Sequence, residues 1–189
     1  MRVRLLLIRH GQSDLSSRDF VQSARGRQWD PPLSEAGREQ ASRLSGRLVA
    51  MEEPAAVYAS PFRRCRETIR PYLEATGIPA RFLDDLGEVF TGEWEGKNFE
   101  EIISGDEELA RKFRDQEAMF SLAPGGESGQ QLRTRVVPAI EATLAGVEKG
   151  AVIVVAHGGV INAYLGHIMA LSHDMFFLPE NSSINTVWV

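Results

Sequence analysis

Two short aliphatic runs constrain this chain most. Residues 5–11 read LLLIRHG and residues 151–159 read AVIVVAHGG, so each run stops at a His-Gly pair. The runs Val3–Ile8 and Ala151–Ala156 have strand length and lack the apolar–polar alternation of a half-solvated strand. They therefore read as central strands covered on both faces. In open α/β sheets ligands sit beyond the carboxyl ends of such strands, so the pattern predicts that both imidazoles reach one place.

Weaker strands are expected at Ala56–Ala59, Arg81–Leu83 and Ile184–Val189. Helical periodicity lies between them. Ser34 caps a predicted helix with Ala41, Leu44, Leu48 and Met51 inward. Ser60-Pro61 reads as an N-cap and first-turn proline, opening a helix with Phe62, Cys65, Ile69 and Leu73 inward, which Pro71 should kink or end. A helix over 128–144 carries Leu132, Val136, Ile140 and Leu144, with a bend expected at Pro138. Another follows Gly159, using Val160, Tyr164, Ile168 and Leu171. Strands alternating with helices predict a layered α/β fold around a mostly parallel sheet.

The 189 residues show no repeat and no linker tract, so one domain, 1–189, is expected. The segments from about 12 to 32 and 90 to 127 resist assignment. Long irregular stretches in a compact domain serve more often as functional covers than as accidents. Twenty-one basic against 26 acidic residues give a net charge of −5, and no polybasic tract stands out. Nucleic-acid binding is not indicated. The single cysteine, Cys65, allows no internal disulfide, which fits a reducing, cytoplasmic location. No signal-peptide pattern and no membrane-length apolar run are present, so no membrane partner is expected.

The segment SPFRRCRET (60–68) places Arg63, Arg64 and Arg66 in the first turns of a helix, where the macrodipole disfavours cations. A bound anion would reverse that cost, and arginine's planar fork suits phosphate. Solvation or pairing with carboxylates is the competing reading of the three arginines.

The ordered set LLLIRHGQS, PLSEAG, YASPFRRCRET, LGEVFTGEWEG, PGGES and VVAHGGVI resembles the histidine phosphatase superfamily, which includes the cofactor-dependent phosphoglycerate mutases. The resemblance implies a three-layer α/β/α sandwich with a mixed, mostly parallel central sheet. It implies that His10 is a nucleophile forming a phosphohistidine through Nε2, with a backbone carbonyl orienting Nδ1. Arg9 and Arg64 match the phosphate-clamping arginines, with Arg63 as the neighbouring candidate. His157 matches the second phosphate-pocket histidine and Glu88 the proton donor. Gln12, Ser16 and Gly158 are further substrate-binding candidates, although the mutases carry Asn where this chain has Ser16. No cofactor and no metal ligand are implied.

The chemistry is coherent on its own terms. A phosphomonoester is a dianion, so guanidiniums 9 and 64 and a protonated His157 could spread over its oxygens in the transition state. Nearby cations disfavour a charged imidazole, which keeps His10 neutral and nucleophilic. An alkoxide leaves poorly, so a carboxyl must supply a proton. The residues alone leave Glu88, Glu93 and Glu95 open; the resemblance selects Glu88.

The expected function is hydrolysis of a small-molecule phosphomonoester through phospho-His10. Mutase-type phosphoryl transfer is the nearest alternative, followed by a metallohydrolase and by a non-catalytic phospho-ligand binding module. A homodimer through an edge strand stays open, as does the substrate. His167, His173 and Cys65 are read as structural. Arg18, Arg25 and Arg27 are read as solvated by default, and Trp94 as a residue of the loop near the site.

Overall fold

The computed structural model describes residues 3–114 and 119–189. Residues 115–118, within the second expected cover, lie outside the described residues. In chain order the strands are β1 (Val3–Arg9), β2 (Phe20–Ser23), β3 (Gly26–Trp29), β4 (Ala56–Ala59), β5 (Ala80–Phe82), β6 (Gly150–Ala156) and β7 (Ile184–Trp188). The helices are α1 (Glu35–Val49), α2 (Arg63–Thr76), α3 (Phe99–Ser104), α4 (Glu107–Arg114), α5 (Gly129–Leu144) and α6 (Gly158–Ile168). Short 3-10 turns occupy Asp84–Leu86, Gly92–Trp94 and Met119–Leu122.

The main sheet runs β5-β4-β6-β1-β7. Its first four strands are mutually parallel and β7 is antiparallel to β1, so the sheet is mixed and mostly parallel. The two aliphatic runs are its centre, paired in register from Val3–Gly150 to Arg9–Ala156. Their side chains divide by pleat. Leu5, Leu7, Val152 and Val154 pack with Leu132, Val136, Ile140 and Val160 of α5 and α6. Leu6, Ile8, Ile153 and Val155 pack with Leu44, Leu48, Cys65 and Ile69 of α1 and α2. Burial on both faces is why neither run alternates. Among the described residues no helix is long and apolar enough to cross a membrane.

Several local expectations shift. Helix α2 starts at Arg63, after the expected Ser60-Pro61 opening; Ser60 Oγ accepts the Phe62 N–H at 3.3 Å and also lies 2.8 Å from His157 Nε2. The next N–H, that of Arg63, goes to the Asp30 carboxylate at 2.8 and 3.0 Å, from 33 residues away. Pro71 does not end the helix. One lost backbone hydrogen bond is outweighed by burial of Ile69 and Tyr72 around it, and the chain turns out at Gly77 with φ 72°. Helix α5 likewise runs through Pro138. Helix α6 opens two residues early, at Gly158, and ends at Ile168, which is 46% exposed; Leu171 lies past its end. The first cover holds an unexpected hairpin, β2–β3.

Candidate active site

The end of β1 is held from three sides. The His10 N–H donates to the Ala156 carbonyl at 3.0 Å, Asn181 Nδ2 donates to the His10 carbonyl at 3.0 Å, and the Ser182 N–H donates to the Arg9 carbonyl at 3.0 Å. Beyond it Gly11 meets Gly37 of α1 so closely that a Cβ on either would collide with backbone. His10 Nδ1 lies 2.7 Å from the Gly11 carbonyl. A carbonyl only accepts, so the proton is on Nδ1 and Nε2 keeps its lone pair. Burial, then Arg64 and Arg9, holds the His10 pKa well below 6.5, although the Gly11 hydrogen bond opposes this. The ring is neutral at neutral pH.

His157 ends β6 as the residue before α6 and is fully buried, its ring centroid 5.2 Å from that of His10. Arg64 Nε donates to its Nδ1 at 3.2 Å, and its Nε2 lies 2.8 Å from Ser60 Oγ. Both ring nitrogens are therefore engaged. Burial and the Arg64 charge push its pKa well below 6.5. The expected protonated His157 reaching phosphate gives way to a neutral ring lying beneath the cavity, against the back of Arg64. Arg64 Nη1 also donates to the Trp29 carbonyl at 3.2 Å and faces Asp30 at 3.5 Å, which fixes the guanidinium plane.

Glu88 lies across the opening of α6. Its Oε1 accepts the Val89 N–H at 2.9 Å, and Oε2 accepts the Gly159 N–H at 3.4 Å. A Cβ on residue 159 would stand 2.5 Å from Oε1, so the glycine makes room for the carboxylate. The rival acids separate on geometry. Glu95 is consumed as a strut, accepting from the Trp29 N–H and from the Thr91 N–H and hydroxyl at 2.7–2.9 Å. Glu93 is exposed and outside the cavity lining.

A cavity of about 500 Å³ joins these groups. Arg9, His10, Gln12, Arg64 and Glu88 line it, and both covers close over it through Leu15, Trp29, Trp94 and Phe99. Arg9 Nη1 is spent on the Pro179 carbonyl at 2.6 Å, while its buried Nε has no protein partner. Three expected contacts lie elsewhere. Ser16 donates its hydroxyl to Asp14 at 2.6 Å and is exposed. Arg63 is half-exposed and pairs with Asp19 and Glu67. Gly158 is buried, its carbonyl taken by Asn162. None of these three lines the cavity.

The arginines of the first cover also find protein partners. Arg18 donates to the carbonyls of residues 15–17, Arg25 donates to the Asp84 carbonyl, and Arg27 stacks on Phe20. Asn181 and Lys97 line the cavity without having been expected there. No local pattern marks either residue; only the folded position of the segment after α6 brings Asn181 to His10.

Residues 5–188 match the histidine phosphatase superfamily (branch 1). The bifunctional protein Rv2228c of Mycobacterium tuberculosis is 36% identical over 154 residues, 82% of this chain, and the match covers 41% of that protein's length. The metal-independent phosphoserine phosphatase of Arabidopsis thaliana is 31% identical over 185 residues, covering 97% of this chain and 75% of that protein. Among solved structures, the mycobacterial glucosyl-3-phosphoglycerate phosphatase superposes with a TM-score of 0.81 at 28% identity. It covers 97% of this chain and 88% of its own.

Proposed function

The chain belongs to the histidine phosphatase superfamily, and from that premise we propose that it is a metal-independent phosphomonoester hydrolase acting through a covalent phosphohistidine at His10 on a small phosphorylated metabolite. One observation carries the reading: the Nδ1–Gly11 hydrogen bond leaves a neutral His10 with its Nε2 lone pair in a cavity lined by two guanidiniums. Named relatives support the hydrolytic reading, since the Arabidopsis protein is a metal-independent phosphatase.

The substrate's phosphoryl oxygens lie between Arg9 and Arg64, whose charges offset the dianion and permit approach of the nucleophile. His10 Nε2 forms a bond to phosphorus while the ester P–O bond breaks. Glu88 gives its proton to the departing alkoxide, so the alcohol leaves neutral. Water then attacks the phosphohistidine, Glu88 takes a proton from it, and inorganic phosphate departs as the N–P bond breaks. His157 acts from beneath by holding Arg64. Among the described residues, no group of three His, Cys, Asp or Glu side chains is arranged to hold a metal ion.

The test is acid-quenched turnover of a phosphorus-labelled monoester in excess chelator. Label on wild-type protein but not on His10→Asn, with stoichiometric release of inorganic phosphate, is expected. Turnover that needs added metal, or that labels no protein, overturns the reading. Net isomerisation of a phosphoglycerate with little phosphate release would favour mutase-type transfer instead.

A further inference from the structure

Glu88 sits in an irregular link, and a loop of that kind does not by itself fix a carboxyl group well enough for proton transfer. Gln28 Nε2 donates to the Glu88 carbonyl at 3.3 Å, and the fuller grip on the backbone comes from α5. Arg135 Nη1 donates to the carbonyls of Asp85 at 2.6 Å and Gly87 at 2.9 Å, and its Nη2 donates to the carbonyl of Glu88 itself at 3.1 Å. The remaining face of the guanidinium is gripped by Glu127, Nε to Oε1 at 2.7 Å and Nη2 to Oε2 at 2.8 Å. Glu127 in turn brackets Phe90. Its backbone N–H donates to the Phe90 carbonyl at 2.7 Å, and its carboxylate accepts the Phe90 N–H at 3.2 Å.

The link is thus held on both sides of residue 88 by one ion pair whose side chains are only 12% and 9% exposed. Burying such a pair is costly and is a weak source of net stability, so its retention here calls for a role in specifying geometry. Neither side chain lines the cavity. The Glu127 of the PGGES segment finds its use in this pair.

We propose that Arg135, oriented by Glu127, is the positioning residue for Glu88, fixing the backbone from which the carboxyl reaches the leaving oxygen. The proposal rests on Glu88 as proton donor. A displaced donor slows esters that need a proton and spares those that do not, because a positional error of about 1 Å costs on the order of 10²-fold in a proton-dependent step.

The experiment compares kcat/KM, which reports phosphoenzyme formation, for an alkyl phosphate and for p-nitrophenyl phosphate, whose phenolate leaves without help. Glu88→Gln, Arg135→Lys and Glu127→Gln are measured beside wild type, with melting curves to establish folding. The two positioning variants are expected to lose about 10²-fold on the alkyl ester and less than about threefold on the nitrophenyl ester, with the acid-to-base pH profile on the alkyl ester displaced. Equal losses on both esters would mean a merely structural ion pair and would overturn the proposal, as would no loss. Should Glu88→Gln itself lose both esters equally, the donor assignment is at fault and the proposal falls with it. Because two different variants probe the same pair, a fold defect in one leaves the other decisive.

Discussion

Arg64 Nε donates to His157 Nδ1 at 3.2 Å, and because a guanidinium has no lone pair to offer, the imidazole proton must sit on Nε2 against Ser60. The second histidine therefore aims a guanidinium instead of carrying a charge. His157→Ala removes the acceptor and lets the Arg64 fork rotate away from the cavity. It is expected to lower kcat/KM about 10²-fold and to weaken competitive inhibition by inorganic phosphate. Steady-state kinetics with a phosphate titration checks this; undiminished phosphate affinity would show that Arg64 needs no such support.

The two buried imidazoles also set a pH dependence. Both have pKa values held well below 6.5, mainly by desolvation and then by Arg64. In the unfolded chain they would take up protons near pH 6.5. Below that pH the unfolded state binds more protons than the folded one, so stability falls as pH falls, by up to about 1.4 kcal/mol per pH unit for each ring. The fall continues until the folded values are reached. Histidine ring resonances assigned to residues 10 and 157 should stay fixed through pH 6.5 while the denaturant midpoint drops below it. A resonance from either ring moving near pH 6.5 would sink the prediction.

What the amino-acid order discloses depends on whether the signal is local. The β1 and β6 runs are legible because burial on both faces writes itself as an unbroken aliphatic stretch. Ser34 is legible because its hydroxyl caps Gly37 three residues on. Asp30 capping α2, Asn181 holding the His10 carbonyl and Arg135 holding Glu88 are long-range contacts across 33, 171 and 47 residues, and nothing in their neighbourhoods announces them. The β2–β3 hairpin escaped for a different reason. Its turn is Ala24-Arg25 without an Asn-Gly signature, and its four-residue strands, FVQS and GRQW, bury the polar Gln28 and show no apolar–polar alternation. Ser60 is half legible: its hydroxyl accepts the nearby Phe62 N–H, but its contact with the His157 ring spans 97 residues and has no local sign.

Cys65 lies behind the same ring, fully buried, with Sγ 3.5 Å from His157 Nε2. Burial drives its thiol pKa up to about 12, so thiolate is scarce at any working pH. Iodoacetamide at pH 8 should leave the native protein unmodified and alkylate it once denaturant is added. Mass spectrometry reads both states, and rapid native labelling would contradict the packing described.

Two glycines of α1 give opposite expectations for one substitution. Alanine is favoured over glycine in a helix by about 1 kcal/mol. At Gly46 a Cβ would meet nothing within 4 Å, so Gly46→Ala should raise stability by about that amount, without effect on turnover. At Gly37 a Cβ would stand 2.1 Å from the Gln12 carbonyl oxygen, and backbone cannot swing aside as a side-chain tip can. Gly37→Ala should therefore destabilise by about 1–3 kcal/mol through overpacking. It should also lower kcat/KM, because the displaced segment at Gly11–Gln12 carries the carbonyl that orients His10. Denaturant melts of the two variants beside wild type, with kinetics on each, decide the matter: a stable and active Gly37→Ala protein would mean that α1 does not buttress the loop that follows His10.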